Sequence, residues 1–470
     1  MASSTRLMDI NFNLKFLTIN RQISISRQTF QYSVGLLTIL ITVAASFWGT
    51  VNVLVIALAA IGGLVVLGLL LRYPLSAYIF LIPAGMFVPF SGPGGFNASV
   101  LLVVLMSVLW IGNMFVVRRR FEFVRSSAVR PAVMFMIVSV VAFGMGQVSW
   151  FSLAQQAPFD TQLGGFAIYF FSLVMMVMTG NIIKDIRWLK AIVITFVALS
   201  MVYVLGRVVE WSGIDAIYEK GFIANSMLWT WLVILPLAQA LFNQDLKKNI
   251  RILLYVLVAL TLFVAVIQTR DWKSGWVPAM VGVGVLVALK FPKLAFASIP
   301  FALIGVAYLA QDLISTDQYS WGTRVDAWVV VLDISRANPL LGLGFANYNW
   351  YAPLFSLRGY HIRFNSHSQF VDIIAQTGLA GLVCFVWILY EMATLGWRLS
   401  RDLKDGFARA YAFGVLAGVA ACIMAAYLVD WLLPFAYNIG LAGFRASILP
   451  WIFFGGLIAI EQMRKENKLT

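Results

Sequence analysis

The sequence predicts an all-α integral membrane protein that crosses the bilayer about 12 to 14 times. Three observations predict it: 61% of the 470 residues are hydrophobic, only 11% are charged, and many apolar runs are long. A membrane-spanning helix needs about 20 mainly apolar residues, and residues 51–71 and 410–429 are examples of such runs. A soluble domain carries about 25% charged residues, and an outer-membrane barrel has shorter segments of alternating polarity. Both of those classes are therefore excluded.

About fourteen apolar segments are assigned as spans in chain order. They cover residues 33–49, 51–71, 76–90, 99–117, 131–147, 163–183, 191–208, 224–242, 252–268, 275–289, 294–310, 371–394, 410–430 and 440–460. The short segment at 76–90 contains Pro83 and Pro89, so a re-entrant course is an alternative there and also around Pro434, which would leave twelve spans. No cleavable signal peptide is expected, because some thirty mostly polar residues precede the first apolar run. Cys384 and Cys422 lie inside spans and give no disulfide or metal-ligand spacing.

The distribution of positive charge predicts how the chain is oriented. Alternating the sides of these spans places 25 of the 34 Lys and Arg residues on the side of the N-terminus and 9 on the other. Cytoplasmic loops are enriched in Lys and Arg, so both termini are predicted to be cytoplasmic. The net charge of +14 is thus an orientation signal, and no nucleic-acid partner is expected.

This topology divides the chain into five parts. Residues 1–32 are predicted to be a cytoplasmic segment, 33–310 a transmembrane bundle, 311–370 an outer loop that contains helices and the active site, 371–460 the C-terminal spans, and 461–470 a cytoplasmic tail. The chain is therefore expected in a bacterial cytoplasmic (inner) membrane, with the loop 311–370 outside.

The nine outward basic residues oppose the general charge bias and gather in few places. They are Arg207, Lys220, Arg270, Lys273, Arg324, Arg336, Arg358, Arg363 and Arg445. Four of them share the loop 311–370 with both histidines of the chain, His361 and His367. An anionic ligand is one explanation, since the planar guanidinium binds phosphate bidentately. Ion pairs with outward acids (Glu210, Asp271, Asp326 and Asp333) are the alternative.

The outer loop itself has predictable local structure. Residues 321–339 place Val325, Trp328 and Leu332 at helical spacing, with Thr323 as N-cap, Arg324 in the first turn, and Asn338-Pro339 ending the helix. Residues 342–344 form a Gly-x-Gly bend that allows close backbone approach.

A second helix start is predicted at 366-SHSQ-369, just before the apolar run. The pattern is that of a capping box with Ser366 as N-cap, His367 at the first helical position and Gln369 at the third. The positive end of a helix dipole disfavours an imidazolium. The position therefore predicts a neutral His367 beside a site that attracts phosphate.

Several of these stretches occur in the order of a known family motif. Arg324 with Trp328, then 338-NPLLGLGFANY-348, 365-NSHSQF-370 and 376-QTGLAGL-382 resemble the core of the O-antigen ligase and polymerase superfamily. The segments 221–229 and 268–276 resemble its earlier motifs, so the resemblance covers about residues 200–385. Ser368 stands where the family has Asn. Ser274-Gly275 follows Arg270 at a distance, which leaves open whether Arg270 or Lys273 has the main role.

The resemblance implies a glycosyltransferase of the C superfamily that inverts the anomeric carbon without a metal or other cofactor. Its partners would be a glycan donor on polyprenyl diphosphate, a lipid A–core or glycan acceptor, and the bilayer. Diphosphate binding would fall to Arg207, Arg270, Lys273 and Arg324, with Arg324 and His367 as catalytic residues and His367 orienting or deprotonating the acceptor hydroxyl. Supporting roles would fall to Asn225, Asn347, Asn365 and Ser366.

Within this family the expected activity is that of an O-antigen ligase, with lipid A–core as the acceptor, and three other functions remain open. A polymerase needs the same diphosphate site as a ligase, and transfer of a glycan to protein is a further branch. A small-solute transporter is an alternative of another class, although transporters usually place ionisable residues near mid-membrane. A scaffold or flippase partner would not need Arg and His gathered in one outer loop.

Overall fold

The computed structural model describes Gly68 and residues 72–92, 95–120, 122–297, 299–300, 304–305, 307, 311 and 318–468. Contacts divide the chain into two units, Met1–Ala77 and Tyr78–Thr470. The predicted spans at 33–49 and 51–71, apart from Gly68, and part of the span at 294–310 lie outside the described residues. The second unit contains the predicted site.

The described residues are organised as helices. In chain order these include α1 (Ser76–Phe87), α2 (Ala98–Gly112), α3 (Val129–Met145), α4 (Phe159–Ile182), α5 (Ile186–Val208), α6 (Ile214–Ile217), α7 (Lys220–Ile223), α8 (Ser226–Phe242), α9 (Lys248–Leu262), α10 (Lys273–Lys290), α11 (Gln318–Ser335), α12 (Asn347–Tyr351), α13 (Gln369–Asp402), α14 (Phe407–Leu428) and α15 (Gly440–Lys465). Helices α2 and α9 each end in a π-helical turn, Asn113–Arg118 and Phe263–Gln268.

Eight of the described helical segments are long and apolar enough to cross a membrane, by length and composition. They are α2, α4, α5, α9, α10, α13, α14 and α15, and α1, α3 and α8 are shorter apolar helices. These helices follow the predicted spans closely, which confirms the all-α, polytopic class. The total of 12 to 14 spans stays a prediction, because it includes segments outside the described residues.

Helix α15 is the centre of the bundle, and its apolar stretch is completely buried. Small residues let it approach α4 closely. A Cβ atom on Gly180 would lie 2.7 Å from Ile458, and one on Gly455 would lie 2.4 Å from a backbone oxygen of α4. Glycines at helix crossings allow this close packing in membranes. The α4–α15 pair is thus a rigid base for the segments at its ends.

The two ends of the bundle hold different parts of the chain. At one end, Val124 donates a backbone hydrogen bond to the Asn181 side chain, and Lys465 donates to the backbone oxygen of Arg125. At the other end, Asn347 reaches the connection between α3 and α4, where its amide donates to the backbone oxygen of Gly146. Residues 122–128 and the end of α15 therefore lie opposite the segment that contains the predicted site.

The predicted Gly-x-Gly bend docks into a break in α13. Gly378 has a positive φ of 68° inside this helix, which frees backbone groups on both sides of it. Leu343 and Gly344 donate to the backbone oxygens of residues 375 and 376, and residues 379 and 380 donate to those of Pro339 and Leu340. Gly342 and Gly344 also have positive φ, and Gly342 lies directly against the Gln376 backbone. The bend does provide the close backbone approach that its glycines predict.

The outer helix exists, but its predicted start is wrong, and two of the three apolar residues that predicted it, Val325 and Leu332, are not on its buried face. It begins at Gln318, so Thr323 is inside it rather than its N-cap, and Arg324 is in the second turn. Val325 and Leu332 are 39% and 40% exposed, whereas Ala327, Val331 and Ile334 form the buried face. The helix packs on both the bundle and the loop that follows it, and these two contacts determine which face is buried. It ends at Ser335, and Asn338 then bonds the turn leading to Gly342.

Candidate functional site

Arg324 and Trp328 lie one turn apart on α11 and connect this helix to two other segments. The Arg324 guanidinium donates to the backbone oxygen of Leu428, the last residue of α14, at 3.3 Å. The Trp328 indole donates to the backbone oxygen of Ser366 at 2.7 Å. A cation beside the last carbonyls of a helix is favoured by the helix dipole. The Arg-x-x-x-Trp spacing thus lets one face of α11 bond both the end of α14 and Ser366, the residue before His367.

His367 does not occupy the predicted first position of a helix. The N-cap of α13 is Ser368 and the helix begins at Gln369, while His367 precedes them with a left-handed φ of 47°. The predicted capping box is therefore wrong. The Ser366 hydroxyl instead accepts from the backbone N–H of Ser368 at 3.1 Å, and Gln369 pairs both ends of its amide with the Leu433 backbone. These tertiary bonds, rather than a local cap, shape the turn.

The turn places His367 and Arg324 on the wall of one cavity of about 390 Å³. Three stretches of chain form the wall, and the residues are Thr323, Arg324, Ala327, Leu357, Phe364, Asn365 and His367. The Asn365 side-chain oxygen is buried and makes no hydrogen bond to the described part of the chain. The cavity thus combines a guanidinium, an imidazole and an amide oxygen on otherwise largely apolar walls.

The cavity keeps His367 uncharged at neutral pH. Burial, and after it the positive charge of Arg324, lower the pKa of His367 from its ordinary 6.5 to about 4. Both effects penalise the imidazolium. The neutral ring follows as predicted from sequence, but its causes are burial and Arg324 rather than the start of a helix.

A buried polar cluster stabilises the turn that contains His367. Asp372, in the first turn of α13, accepts hydrogen bonds at one carboxylate oxygen from Tyr348 (2.6 Å) and Ser366 (2.7 Å). The backbone N–H of Ser366 donates to the Tyr348 oxygen at 3.2 Å. Burial, with the nearby charge of Asp372, raises the pKa of Tyr348 well above its ordinary value, so its hydroxyl stays protonated as a donor. Tyr348 and Asp372 together hold Ser366, the residue before His367.

The connection between α14 and α15 completes this cluster. Residues 429–435 are buried without being helical, and the carboxylate of Asp430 accepts hydrogen bonds from the Phe435 backbone and the Asn438 side chain. The Phe435 ring stacks on Tyr348 with centroids 4.7 Å apart. Burial raises the pKa of Asp430. This connection, around Pro434, thus packs against the residues that position His367.

The other predicted phosphate ligands lie at a neighbouring place. Arg207 lies in the last turn of α5 and pairs with Asp215 at 3.2 Å, and its backbone oxygen accepts a hydrogen bond from the Gln268 side chain. Residues 269–273 follow directly, with Arg270 exposed and Lys273 starting α10. The structure thus groups Arg207 with this turn, and Arg324 with His367.

One segment of chain contacts both groups. Leu428 accepts the hydrogen bond from Arg324, and three residues later the Trp431 ring meets Trp272 edge to face, with centroids 5.6 Å apart. Trp272 lies between Arg270 and Lys273 in the turn. The start of the α14–α15 connection therefore links the cavity to the second cationic group.

The predicted supporting residues differ in what they contact. Asn225 caps α8 and donates to the backbone oxygen of Gly443, and Asn347 bonds the backbone of Ala157, Gly146 and Leu343. Both are completely buried and neither lines the cavity. Asn365 does line the cavity, while Ser366 is buried beneath it.

Within the described residues, ion pairs involve four of the outward arginines. Arg336 pairs with Asp333 and Arg358 pairs with Asp326, as the alternative explanation of the outer charges proposed. Arg207 and Arg445 pair with acids that this explanation did not name, Asp215 and Glu219. His361 is exposed, with a ring nitrogen 3.0 Å from the Pro353 backbone oxygen, and it does not line the cavity.

The sequence offered one signal for the buried cluster. Asp372 is an acidic residue next to a long apolar run, and such residues are usually functional or carefully paired. Because it lies at the start of the predicted span 371–394, it is interpreted from sequence as a span-end residue. Tyr348 and Asp430 come from 24 and 58 positions away, and no local pattern connects them to it.

A known protein family matches the part of the chain that contains most of these residues. Residues 161–386 match the model described as O-antigen ligase, and this range includes the predicted phosphate ligands, His367 and Asp372. No match is found among curated proteins. This match supports a membrane glycosyltransferase of the O-antigen ligase/polymerase type. This chain is a multi-pass membrane protein whose residues 161–386 form an O-antigen ligase family domain.

Proposed function

We propose that this protein transfers a glycan from a polyprenyl-diphosphate donor to an acceptor hydroxyl at the outer face of the cytoplasmic membrane. The specific activity proposed is that of an O-antigen ligase, with lipid A–core as the acceptor. One observation carries the proposal: Arg324 and an uncharged His367 line the same cavity. Such a pair combines an anion-binding group with a proton acceptor, which are the two groups that this transfer needs.

The cationic residues serve the leaving group. When the bond between the anomeric carbon and the diphosphate breaks, negative charge develops on phosphate oxygens. Arg324 would stabilise it at the cavity, and Arg207, Arg270 and Lys273 would hold the rest of the diphosphate. Removing one fixed donor of this kind typically raises the barrier by ~3–4 kcal/mol. No metal is needed in this scheme, and attack opposite to the leaving group would invert the anomeric carbon.

His367 serves the acceptor. A neutral imidazole accepts the proton of the attacking hydroxyl, and such general-base assistance contributes about 10²–10⁴-fold. A bound diphosphate would offset the positive charge of Arg324, which is one cause of the low pKa of His367. Donor binding would therefore make this imidazole a stronger base just before the reaction. The Asn365 oxygen, which has no partner among the described residues, would accept a second hydrogen bond from the acceptor sugar.

The activity test uses purified protein in nanodiscs with an undecaprenyl-diphosphate glycan. Transfer to added lipid A–core supports the ligase. Chain extension from donor alone would instead indicate a polymerase, the alternative with the same donor site. Uptake of a small solute by proteoliposomes, without any glycan transfer, would overturn the proposal in favour of a transporter.

The role of Arg324 is tested separately with Arg324→Lys. A lysine keeps the charge but loses the bidentate fork, so we expect transfer to fall by roughly tenfold or more. Transfer and donor affinity equal to those of the unchanged protein would argue against phosphate contact. Arg336→Lys is the matched control, because Arg336 is 83% exposed on the same helical region of the outer loop.

The proposed orientation is tested by labelling introduced cysteines with a membrane-impermeant reagent. Glu122 and Ser356 are exposed and lie toward opposite ends of the bundle, while the natural Cys384 and Cys422 are buried. We expect Ser356→Cys to react from outside intact spheroplasts and Glu122→Cys only after lysis. Reaction of both from the same side would refute the topology.

A further inference from the structure

Arg363 and Trp350 form a stacked pair on the outer loop, beside the cavity but not in its wall. The guanidinium carbon of Arg363 lies 3.5 Å from the centroid of the Trp350 ring. The Trp350 indole donates to the Tyr437 hydroxyl at 2.5 Å, and Tyr437 is 36% exposed. Trp350, Arg363 and Tyr437, here called the aromatic platform, thus come from three separate stretches of chain.

The stacked geometry leaves the binding edge of Arg363 available. Stacking uses the face of the guanidinium, while its N–H groups point outward in the plane. Arg336 and Arg358 in the same loop pair with aspartates, but within the described residues no carboxylate pairs with Arg363. An outward cation that opposes the charge bias of the loops therefore remains exposed and is held in place by an aromatic ring.

The aromatic platform is rigidly joined to the cavity. Arg363 is followed in the chain by Phe364 and Asn365, which line the cavity. Asn349, the neighbour of Trp350, donates its amide to the backbone oxygen of Phe364 at 2.8 Å. A sugar chain that enters the cavity would therefore extend over a surface whose position relative to Arg324 and His367 is fixed.

We propose that the aromatic platform is a second glycan subsite that binds a sugar carrying a carboxylate or a phosphate. The anionic group binds the N–H edge of Arg363 in a bidentate fashion, and the apolar face of the sugar ring packs on Tyr437. This subsite rests on the proposed function, and it determines which glycans are used rather than how the bond is broken. The anionic sugar belongs either to the donor glycan or to the acceptor core.

The alternative is that these residues only anchor the loop at the membrane surface. Trp and Tyr are enriched at membrane–water interfaces, and Ile362 beside Arg363 is 51% exposed. An anchor would act on lipid and on stability, and it would not distinguish a charged sugar from a neutral one. The two explanations therefore differ in a measurable preference.

The experiment measures binding to the full chain in nanodiscs of uncharged phosphatidylcholine. One pair of probes is tetragalacturonate and its carboxyl-reduced form, which represent an acidic glycan chain. The other pair is phosphorylated core oligosaccharide and its dephosphorylated form, which represent the acceptor. Isothermal titration calorimetry is performed on the unchanged protein, on Arg363→Gln, and on Arg336→Gln as a matched surface control.

We expect the charged member of at least one pair to bind roughly tenfold to a hundredfold more tightly than its neutral counterpart. Arg363→Gln should remove that preference, and Arg336→Gln should keep it. The pair that shows the preference identifies the source of the anionic sugar. Equal binding of charged and neutral probes, or an equal loss in both variants, would overturn the subsite. A loss of thermal stability in Arg363→Gln without any change in preference would identify a membrane anchor instead.

The binding readout keeps this inference separate from the proposed function. A preference that depends on Arg363 in a protein that transfers no glycan would retain the subsite as a binding site and refute the proposed transfer. Glycan transfer to lipid A–core with no charge preference in either probe pair would retain the transfer and refute the subsite.

Discussion

The pKa of His367 can be measured directly, because this chain has only two histidines. Protein labelled with ¹⁵N-histidine gives two imidazole signals, and His361→Gln removes one and identifies the other. We expect His367 to titrate near pH 4 rather than at its ordinary 6.5, mainly because the ring is buried and secondly because Arg324 is near. Arg324→Gln removes the second cause only, so the pKa should rise and still remain below 6.5.

The lowered pKa of His367 also makes the free energy of unfolding depend on pH. A shift from 6.5 to about 4 corresponds to roughly 3 kcal/mol at ~1.4 kcal/mol per pH unit, and to less because the ring is half-buried and water screens it. Since the unfolded chain binds this proton more readily, stability is complete above pH 6.5 and decreases as the pH falls toward 4. Titration of His367 near 6.5, or a pKa unchanged by Arg324→Gln, would refute the electrostatic reasoning.

Three further predictions concern transfer and folding. His367→Gln should reduce glycan transfer by about 10²–10⁴-fold at normal membrane levels, whereas His361→Gln should leave it near normal; the opposite result would assign the wrong histidine. Tyr348→Phe removes the hydroxyl bonded to Asp372, and should lower the free energy of unfolding by roughly 1–3 kcal/mol, seen as a lower Tm in detergent. Gly378→Ala would place a Cβ atom 2.2 Å from a backbone oxygen at a positive φ, which costs at least ~1–2 kcal/mol and should displace the docked bend. Gly284→Ala, which meets no atom within 4 Å, is its control, and an equal effect of the two glycine changes would contradict the docking.

Sequence reasoning succeeded where a single physical rule decides the outcome. Long apolar runs must be helical in a membrane because backbone groups there bond within the segment, so the bounds of α5 and α14 follow from hydrophobicity. The close backbone approach at Gly342 follows from its place in a Gly-x-Gly bend. The shared location of Arg324 and His367 was indicated by charge opposed to the general bias.

The same reasoning failed where contacts between distant segments decide the local structure. Residues 366–369 match the sequence pattern of a capping box. In the structure, however, Ser366 forms hydrogen bonds with Asp372 and Tyr348, and Gln369 forms one with the Leu433 backbone. These competing partners turn His367 into a left-handed conformation that its own sequence does not favour. The spacing of apolar residues likewise identified the outer helix but not its buried face, because α11 packs against both the bundle and the loop that follows it.

The break at Gly378 has a consequence for how this protein matches the thickness of its membrane. The part of α13 after the break, residues 379–402, has 24 residues, about 36 Å at 1.5 Å per residue, which exceeds a hydrocarbon layer of about 30 Å. Strongly exposed apolar residues on this helix begin at Leu379, directly after the break, and extend to Trp397, where Arg401 stacks on the indole. The part after the break can tilt to fit a thinner or thicker bilayer. The turn bearing His367 precedes the break and is bonded to the outer loop, so its height above the lipid is set by protein contacts and does not follow that tilt.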